Sequence, residues 1–298
     1  MNVKTTDVMD VINERFNFEV NKLPLTGPEN LRTPYKGLFR SDTGECIGRT
    51  SVGSDYQVHT NYQVAELVRG AMGLFNDEVE LDCHFRDGHY VTIKPTLEER
   101  HEVFGTADNI FPVVMLRAGY NQTPVEFGMF AKRDACMNMV LLQTIEDAVY
   151  RILHRKSLDF KVDQLVTDLT CLKKGWEGVK QAADRMQARE VLLDDFLKSI
   201  YGEPTEGATS RSASIHHKRI STIMNRVIDE RRRTGRPEFE VGNYAVSAWE
   251  AYNAVQGFQQ HEATRKKING NKATRFDRIV LAAKDRYVQQ AEVLALAG

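Results

Sequence analysis

The apolar residues of this chain change period near Asp134, and no other feature restricts the fold as strongly. Before that point they alternate in short runs broken by turn residues, the pattern of half-buried strands. After it they recur every three or four residues, the pattern of helices. Strands first and helices afterwards imply an α+β architecture. We expect a curved antiparallel sheet of hairpins with a backing helix, followed by a helical C-terminal half. The expected divisions are an α+β sheet domain over 1–157, a long helical segment over 158–201, a linker over 202–214 and a helical basic domain over 215–298.

Turn chemistry places the hairpins. YKGLFR and ECIGRTSV flank Asp42-Thr43-Gly44, VELDCHF and HYVTIKP flank Arg86-Asp87-Gly88, and IFPVVMLRAGY and PVEFGMFAKR flank Asn121-Gln122-Thr123. A short strand, DYQVHT, precedes a helix that Asn61 can cap, with Val64, Leu67, Val68 and Met72 at helical spacing. Val140, Leu141, Ile145, Val149, Ile152 and Leu153 are expected along one helix face. Val162 to Met186 then steps by three and four as a core or coiled-coil seam, interrupted by Gly175 and Gly178. GEPTEGATSRSAS has linker composition, and three helices follow at about 214–233, 243–262 and 272–296. The first sixteen residues read as an amphipathic helix with Val8, Val11, Ile12 and Phe16 on one side.

With 298 residues and 42% hydrophobic content the chain can bury a core of domain size. No apolar run reaches the roughly 20 residues that span a bilayer, and no signal-peptide core opens the chain, so no membrane is expected as a partner. Cys46, Cys83, Cys136 and Cys171 form no CxxC pair and read as reduced thiols of a cytoplasmic protein. Charge is sorted along the chain. Residues 1–150 carry 14 Lys+Arg against 22 Asp+Glu, a formal −8, and residues 151–298 carry 26 against 19, a formal +7. Within 211–286 the ratio is 16 basic to 8 acidic. A basic half implies a polyanionic partner.

Three blocks carry a resemblance. Thr33 to Val68 and Ser247 to Arg265, with Phe127 to Leu141 between them, resemble the phage/plasmid-like proteins of unknown function found on prophages and conjugative elements. Arg133, Cys136 and Asn138 are the matches in the middle block, and Trp249, Tyr252, Asn253 and His261 are the most specific part. That resemblance implies a mobile-element origin and no particular chemistry. The order hairpin, helix, hairpin, hairpin, long helix is also similar to the fold of phage single-strand annealing recombinases, which implies a groove for single-stranded DNA and assembly into rings or filaments.

Candidate sites follow from charge rather than from catalytic motifs. His216-His217 point about 100° apart on a helix and make a poor metal site. His84, His89 and His101 lack a nucleophile pattern, and Asp77, Glu78, Glu80 and Asp82 read as a solvated sheet face. No catalytic residue, cofactor or metal is expected. Arg219, Arg226 and Arg233 lie seven apart along one flank of the apolar stripe Ile220, Ile223, Met224 and Val227, and Arg231, Arg232 and Arg236 extend them. Arg265, Lys266, Lys267, Lys272 and Arg275 form a second cluster, and Arg117, Lys132 and Arg133 sit on the third hairpin. Tyr35, Phe39, Tyr56, Phe85, Tyr90, Phe127 and Phe130 are aromatics available to stack on bases where they face solvent. Trp249, Tyr252, Asn253 and Gln256 share a helix face, where Asn253 would be a buried amide in need of partners. The expectation is a non-sequence-specific single-stranded nucleic-acid binding or annealing protein, DNA first, acting in recombination or replication and self-associating through its sheet. The alternative is an interaction protein that inhibits a host defence or replication factor through the acidic half.

Overall fold

The computed structural model describes residues 10, 18–47, 51–73, 79–85, 88–95, 100–103, 108–120, 124–134, 138–140, 142, 149–153, 170–203, 209–237, 239, 244–263, 267–268, 271–272 and 275–297. The N-terminal helix (Asp10 apart), the Arg86-Asp87 and Asn121–Thr123 turns, Cys136, and the seam before Thr170 lie outside these residues. The chain divides into two interleaved units: 1–99, 112–129 and 149–174 form the first, and 100–111, 130–148 and 175–298 the second.

In the first unit, β1 (Val20–Thr26) pairs antiparallel with β2 (Arg32–Arg40), from Val20 opposite Arg40 to Thr26 opposite Arg32. This differs from expectation, since the regular partner of β2 precedes it. The Asp42-Thr43-Gly44 turn does form, with Gly44 at φ 69° and Arg40 paired to Asp42 at 2.7 Å. The chain after it touches β2 only at single bridges, Phe39 to Cys46 and Lys36 to Val52. Leu38, Ile47, Val52 and Tyr120 bury together there, with Val20, Tyr56 and Val58 packed against them. DYQVHT therefore contributes core side chains without being a strand.

Helix α1 (Asn61–Met72) is capped by Thr60 rather than Asn61: Thr60 accepts from Gln63 N and the Gln63 side chain accepts from Thr60 N. This capping box satisfies two orphan donors at once, and leaves Asn61 Nδ2 to donate to Phe18 O at 2.6 Å. Its apolar face, Val64, Ala65, Leu67, Val68 and Ala71, is buried, and the helix lies against β4. β3 (Val79–Phe85) and β4 (Gly88–Pro95) form the second hairpin, with Phe85 opposite His89. β6 (Asn109–Gly119) follows in the sheet, then β7 (Val125–Arg133). β9 (Val149–Ile152) pairs antiparallel with β7, Val125 opposite Ile152. That segment was expected to be helical. A short apolar run with β-branched ends fits either period, and pairing with β7 decides it.

In the second unit, β5 (His101–Glu102) pairs with the start of β6 and β8 (Met139–Val140) with the end of β7. The rest is helical: the end of α2 (Thr170–Ala188), α3 (Leu193–Tyr201), α4 (Ser210–Arg233), α5 (Ala248–Phe258), α6 (Arg275–Ala283) and α7 (Arg286–Leu296). Two short ribbons, β10 (Glu190–Leu192) with β11 (Ala245–Ser247) and β12 (Lys267–Ile268) with β13 (Asn271–Lys272), link them. α2 continues through Gly175 and Gly178, because Trp176, Val179, Ala182, Ala183 and Met186 bury on one side. The expected last helix is two: Asp285, extended at its ψ of 134°, caps α7 through Tyr287 N. Every residue of α5 from Ala248 to Gly257 is buried, so its polar side chains must find partners inside the unit. No helix among the described residues is long and apolar enough to cross a membrane.

Candidate functional site: a polar network around helix α5

The entry to α5 gathers arginines from α4 and the loop after it. Ser247 caps the helix, its Oγ accepting from Glu250 N while Glu250 Oε2 accepts from Ser247 N. Glu250 also accepts from Arg231 Nε at 3.0 Å and pairs with Arg236 at 2.9 Å. Burial pushes its carboxyl up, but the Arg231 hydrogen bond and the charges of Arg231 and Arg236 outweigh that and hold it below the usual carboxylate range.

Arg133 forms a second knot. Its side chain is fully enclosed, as is that of Asp108. Nε donates to Asp108 Oδ2 at 2.8 Å, Nη1 donates to Glu230 Oε2 at 3.2 Å, and the guanidinium lies 5.5 Å from the Trp249 ring centroid. Trp249 Nε1 donates to the same Asp108 oxygen at 3.0 Å. A buried cation is tolerated only when paired and hydrogen-bonded in this way.

The third part lies at the end of α5. Gln256 Nε2 donates to Met139 O at 2.7 Å, and Met139 N donates to Gln260 Oε1 at 3.3 Å, so two amide side chains satisfy the edge of β8 as a neighbouring strand would. Asn138 Nδ2 donates to Asn253 O at 3.0 Å, and Asn253 Nδ2 to Trp249 O at 2.8 Å. Past Phe258 the helix widens into a π-helical turn, Gln259–Ala263, a rare geometry that occurs frequently at functional sites. It presents His261 to Asn138 Oδ1 at 3.1 Å and Glu262 to Arg226 Nη1 at 2.5 Å. Because Asn138 Nδ2 is committed to a carbonyl, Oδ1 is an acceptor, so the His261 proton is assigned to Nε2 and Nδ1 is left as an acceptor. Burial, and then the charges of Arg226, Arg278 and Arg275, push this imidazole down to about 4.

The arginines expected to face phosphate divide accordingly. Arg133 is buried, and Arg117 is half-buried against Glu126, which also meets Arg151 at 3.4 Å. Lys132 lies 4.8 Å from the Phe111 ring centroid. Arg219 lies over the rings of Tyr201 and Tyr287, at 5.2 and 5.3 Å. Arg226, Arg231 and Arg236 serve Glu262 and Glu250, while Arg232, Arg233 and Arg275 are exposed. Arg265 and Lys266 lie outside the described residues, as do the side chains of Lys267 and Lys272. Of the expected stacking aromatics, Phe127 and Phe130 are core and Tyr35 is exposed. Sequence reading missed the carboxylates Asp108, Glu230, Glu250 and Glu262, and also Arg278.

Counting charge over the two units changes the electrostatic picture. The first holds 17 Lys+Arg against 20 Asp+Glu, a formal −3, and the second 23 against 21, a formal +2. The basic excess of 211–286 is thus largely offset by carboxylates of its own unit. No curated protein and no solved structure matches the chain. The polar network nonetheless unites Arg133, Asn138, Trp249, Asn253 and His261, drawn from separate sequence blocks, and a family profile spans all of them: the chain belongs to the family described as a domain of unknown function, DUF932, which matches residues 49–280.

Proposed function

We propose that the chain binds single-stranded nucleic acid, DNA first, without sequence preference, in the recombination or replication of a phage or plasmid within the host cytoplasm. The observation that carries this reading is the outer line of α4. Arg211, Lys218, Asn225 and Arg232 stand seven residues apart, all exposed, on one azimuth and about 10.5 Å from step to step. Ser214 and Ser221 lie between them, also exposed. On the inward side Arg226 and Arg231 bind carboxylates and Arg219 lies over Tyr201 and Tyr287, whereas this outer line faces solvent. The order of hairpins and helices, similar to annealing recombinases, supports an annealing role with self-association. The acidic surface of the alternative reading has little charge to draw on once the first unit counts only −3.

The test is fluorescence anisotropy with an oligothymidylate from low to moderate salt, beside light scattering of the complex. Affinity is expected to fall with a slope of about −0.7 per phosphate contacted. A Lys218→Glu, Arg232→Glu variant is expected to lose most of the binding with an unchanged melting curve. Binding that ignores salt, or no binding at low salt, overturns the proposal.

A further inference from the structure

We propose that Tyr287 is a nucleophile that joins covalently to a phosphodiester of the bound strand, with Arg286 and Arg219 holding that phosphate. This adds a chemical step to the binding role and rests on the nucleic-acid reading for the identity of the strand. The geometry sets the phenol beside two cations. Arg286 Nη2 donates to Tyr287 Oη at 2.6 Å, and its guanidinium lies 4.6 Å from the ring centroid. The Arg219 guanidinium lies 5.3 Å from the same centroid and 5.2 Å from that of Tyr201. The two ring centroids are themselves 4.6 Å apart, so α3, α4 and α7 together fix the phenol. Among the described residues neither guanidinium meets a carboxylate at ion-pair distance: Arg219 is spent on the two rings and Arg286 on Tyr287. Asp285, the acid beside them, turns its Oδ1 to Tyr287 N at 2.9 Å as the cap of α7.

The two phenols are pushed in opposite directions. Burial drives Tyr201 up and keeps it protonated. At Tyr287 the Arg286 hydrogen bond outweighs burial, and with the charges of Arg286 and Arg219 it holds the phenol below its ordinary range. Neighbouring groups shifted apart in this way take different chemical roles, and a tyrosine oxygen so activated is an acceptor for covalent catalysis. Tyr287 gives its proton to water and its oxygen attacks phosphorus. The bond from phosphorus to one sugar oxygen breaks, and that oxygen leaves with a proton from water. A phosphotyrosyl diester replaces the original diester, so the step needs no oxidant and no energy source. Paired guanidiniums bind the non-bridging oxygens and offset the charge that develops on them. Lys218 stands one residue before Arg219 and about 100° from it around α4, which puts the exposed line on the adjoining side of the same helical turn.

The experiment uses oligothymidylates in which one bridging oxygen is sulfur, on the 5′ side in one probe and the 3′ side in the other, labelled on both sides of it. A thiolate leaves readily and the broken strand does not rejoin. One probe is expected to give an adduct with the full chain that survives denaturing electrophoresis and maps by peptide mass to Tyr287. Tyr287→Phe is expected to give none while melting as the native chain does, and Arg286→Gln to form the adduct about a hundredfold more slowly. Fluorescence anisotropy of the same probes reads binding separately. Binding without an adduct overturns the inference and leaves the nucleic-acid reading standing. An adduct that Tyr287→Phe still forms overturns the assignment to Tyr287. Neither binding nor adduct overturns both.

Discussion

Gly257 is where the polar network leaves least space. Its missing side chain is the gap through which Asn138 and Arg226 approach α5, and Asn138 cannot retreat because it is buried and bonded to Asn253 O. Gly257→Ala is therefore expected to destabilise by about 1–3 kcal/mol, the usual cost of overpacking, read as a lower urea midpoint. Arg133→Ala should cost more, about 3–5 kcal/mol, because it leaves the enclosed Asp108 with the Trp249 N–H but without its cation; a loss within measurement error would mean that the cost of burying the guanidinium cancels what its ion pairs contribute. His261 gives a pH signature. Its folded pKa of about 4 lies below the ordinary 6.5, so the unfolded chain binds the extra proton between those values. Its contribution is complete above about pH 6.5 and is lost as pH falls toward 4. Melting temperatures from pH 7 to 4 should therefore fall more steeply for the native chain than for His261→Gln.

Among the elements, the β3–β4 hairpin was legible because Asp-Gly stands between two alternating runs, which pair with Phe85 opposite His89, and Asp-Thr-Gly after β2 marks a real turn although the regular partner of β2 precedes it. Thr60 escaped notice because Asn61 beside it is an equally good cap by residue type, and only the reciprocal Gln63 bond decides between them. The strand Val149–Ile152 was hidden because its apolar spacing fits both periods. At the site, the arginines were legible and their roles were not. Arg226 finds its carboxylate 36 residues away, Arg231 finds its own 19 away and Arg133 finds Glu230 at 97, separations that no local pattern encodes. The cap of α5 allows an element-level check. Ser247→Ala removes both the Glu250 N–H acceptor and the 2.9 Å contact with Gln187, and should cost about 1 kcal/mol. An unchanged denaturation midpoint would show that Glu250 and its arginines hold the helix start without it.

For the molecule as a whole, charge counted along the chain overstated an asymmetry that folding partly removes, because the net-basic stretch 149–174 joins the first unit and the net-acidic stretches 100–111 and 130–148 join the helical one. The same interleaving predicts the fate of truncations. A chain ending at Glu203 keeps Asp108, Arg133 and Asn138 but loses Glu230, Trp249 and Asn253. It is expected to aggregate and to lack a cooperative melting transition. A sharp, reversible transition would show that the first unit folds without the helices that follow residue 203.

Strands β6 and β7 each begin in one unit and end in the other, and biosynthesis must accommodate that. Asp108 and Arg133 leave the ribosome well before the helix that encloses them. At about 5–20 residues per second, the last residues follow Ala148 by roughly 7–30 s. For that interval the nascent chain holds a charged pair and two strand ends with no lid over them. This protein should thus depend on holdase chaperones during translation more than a chain of equal length built from two consecutive domains, and slow synonymous codons upstream of α5 should lower its soluble yield.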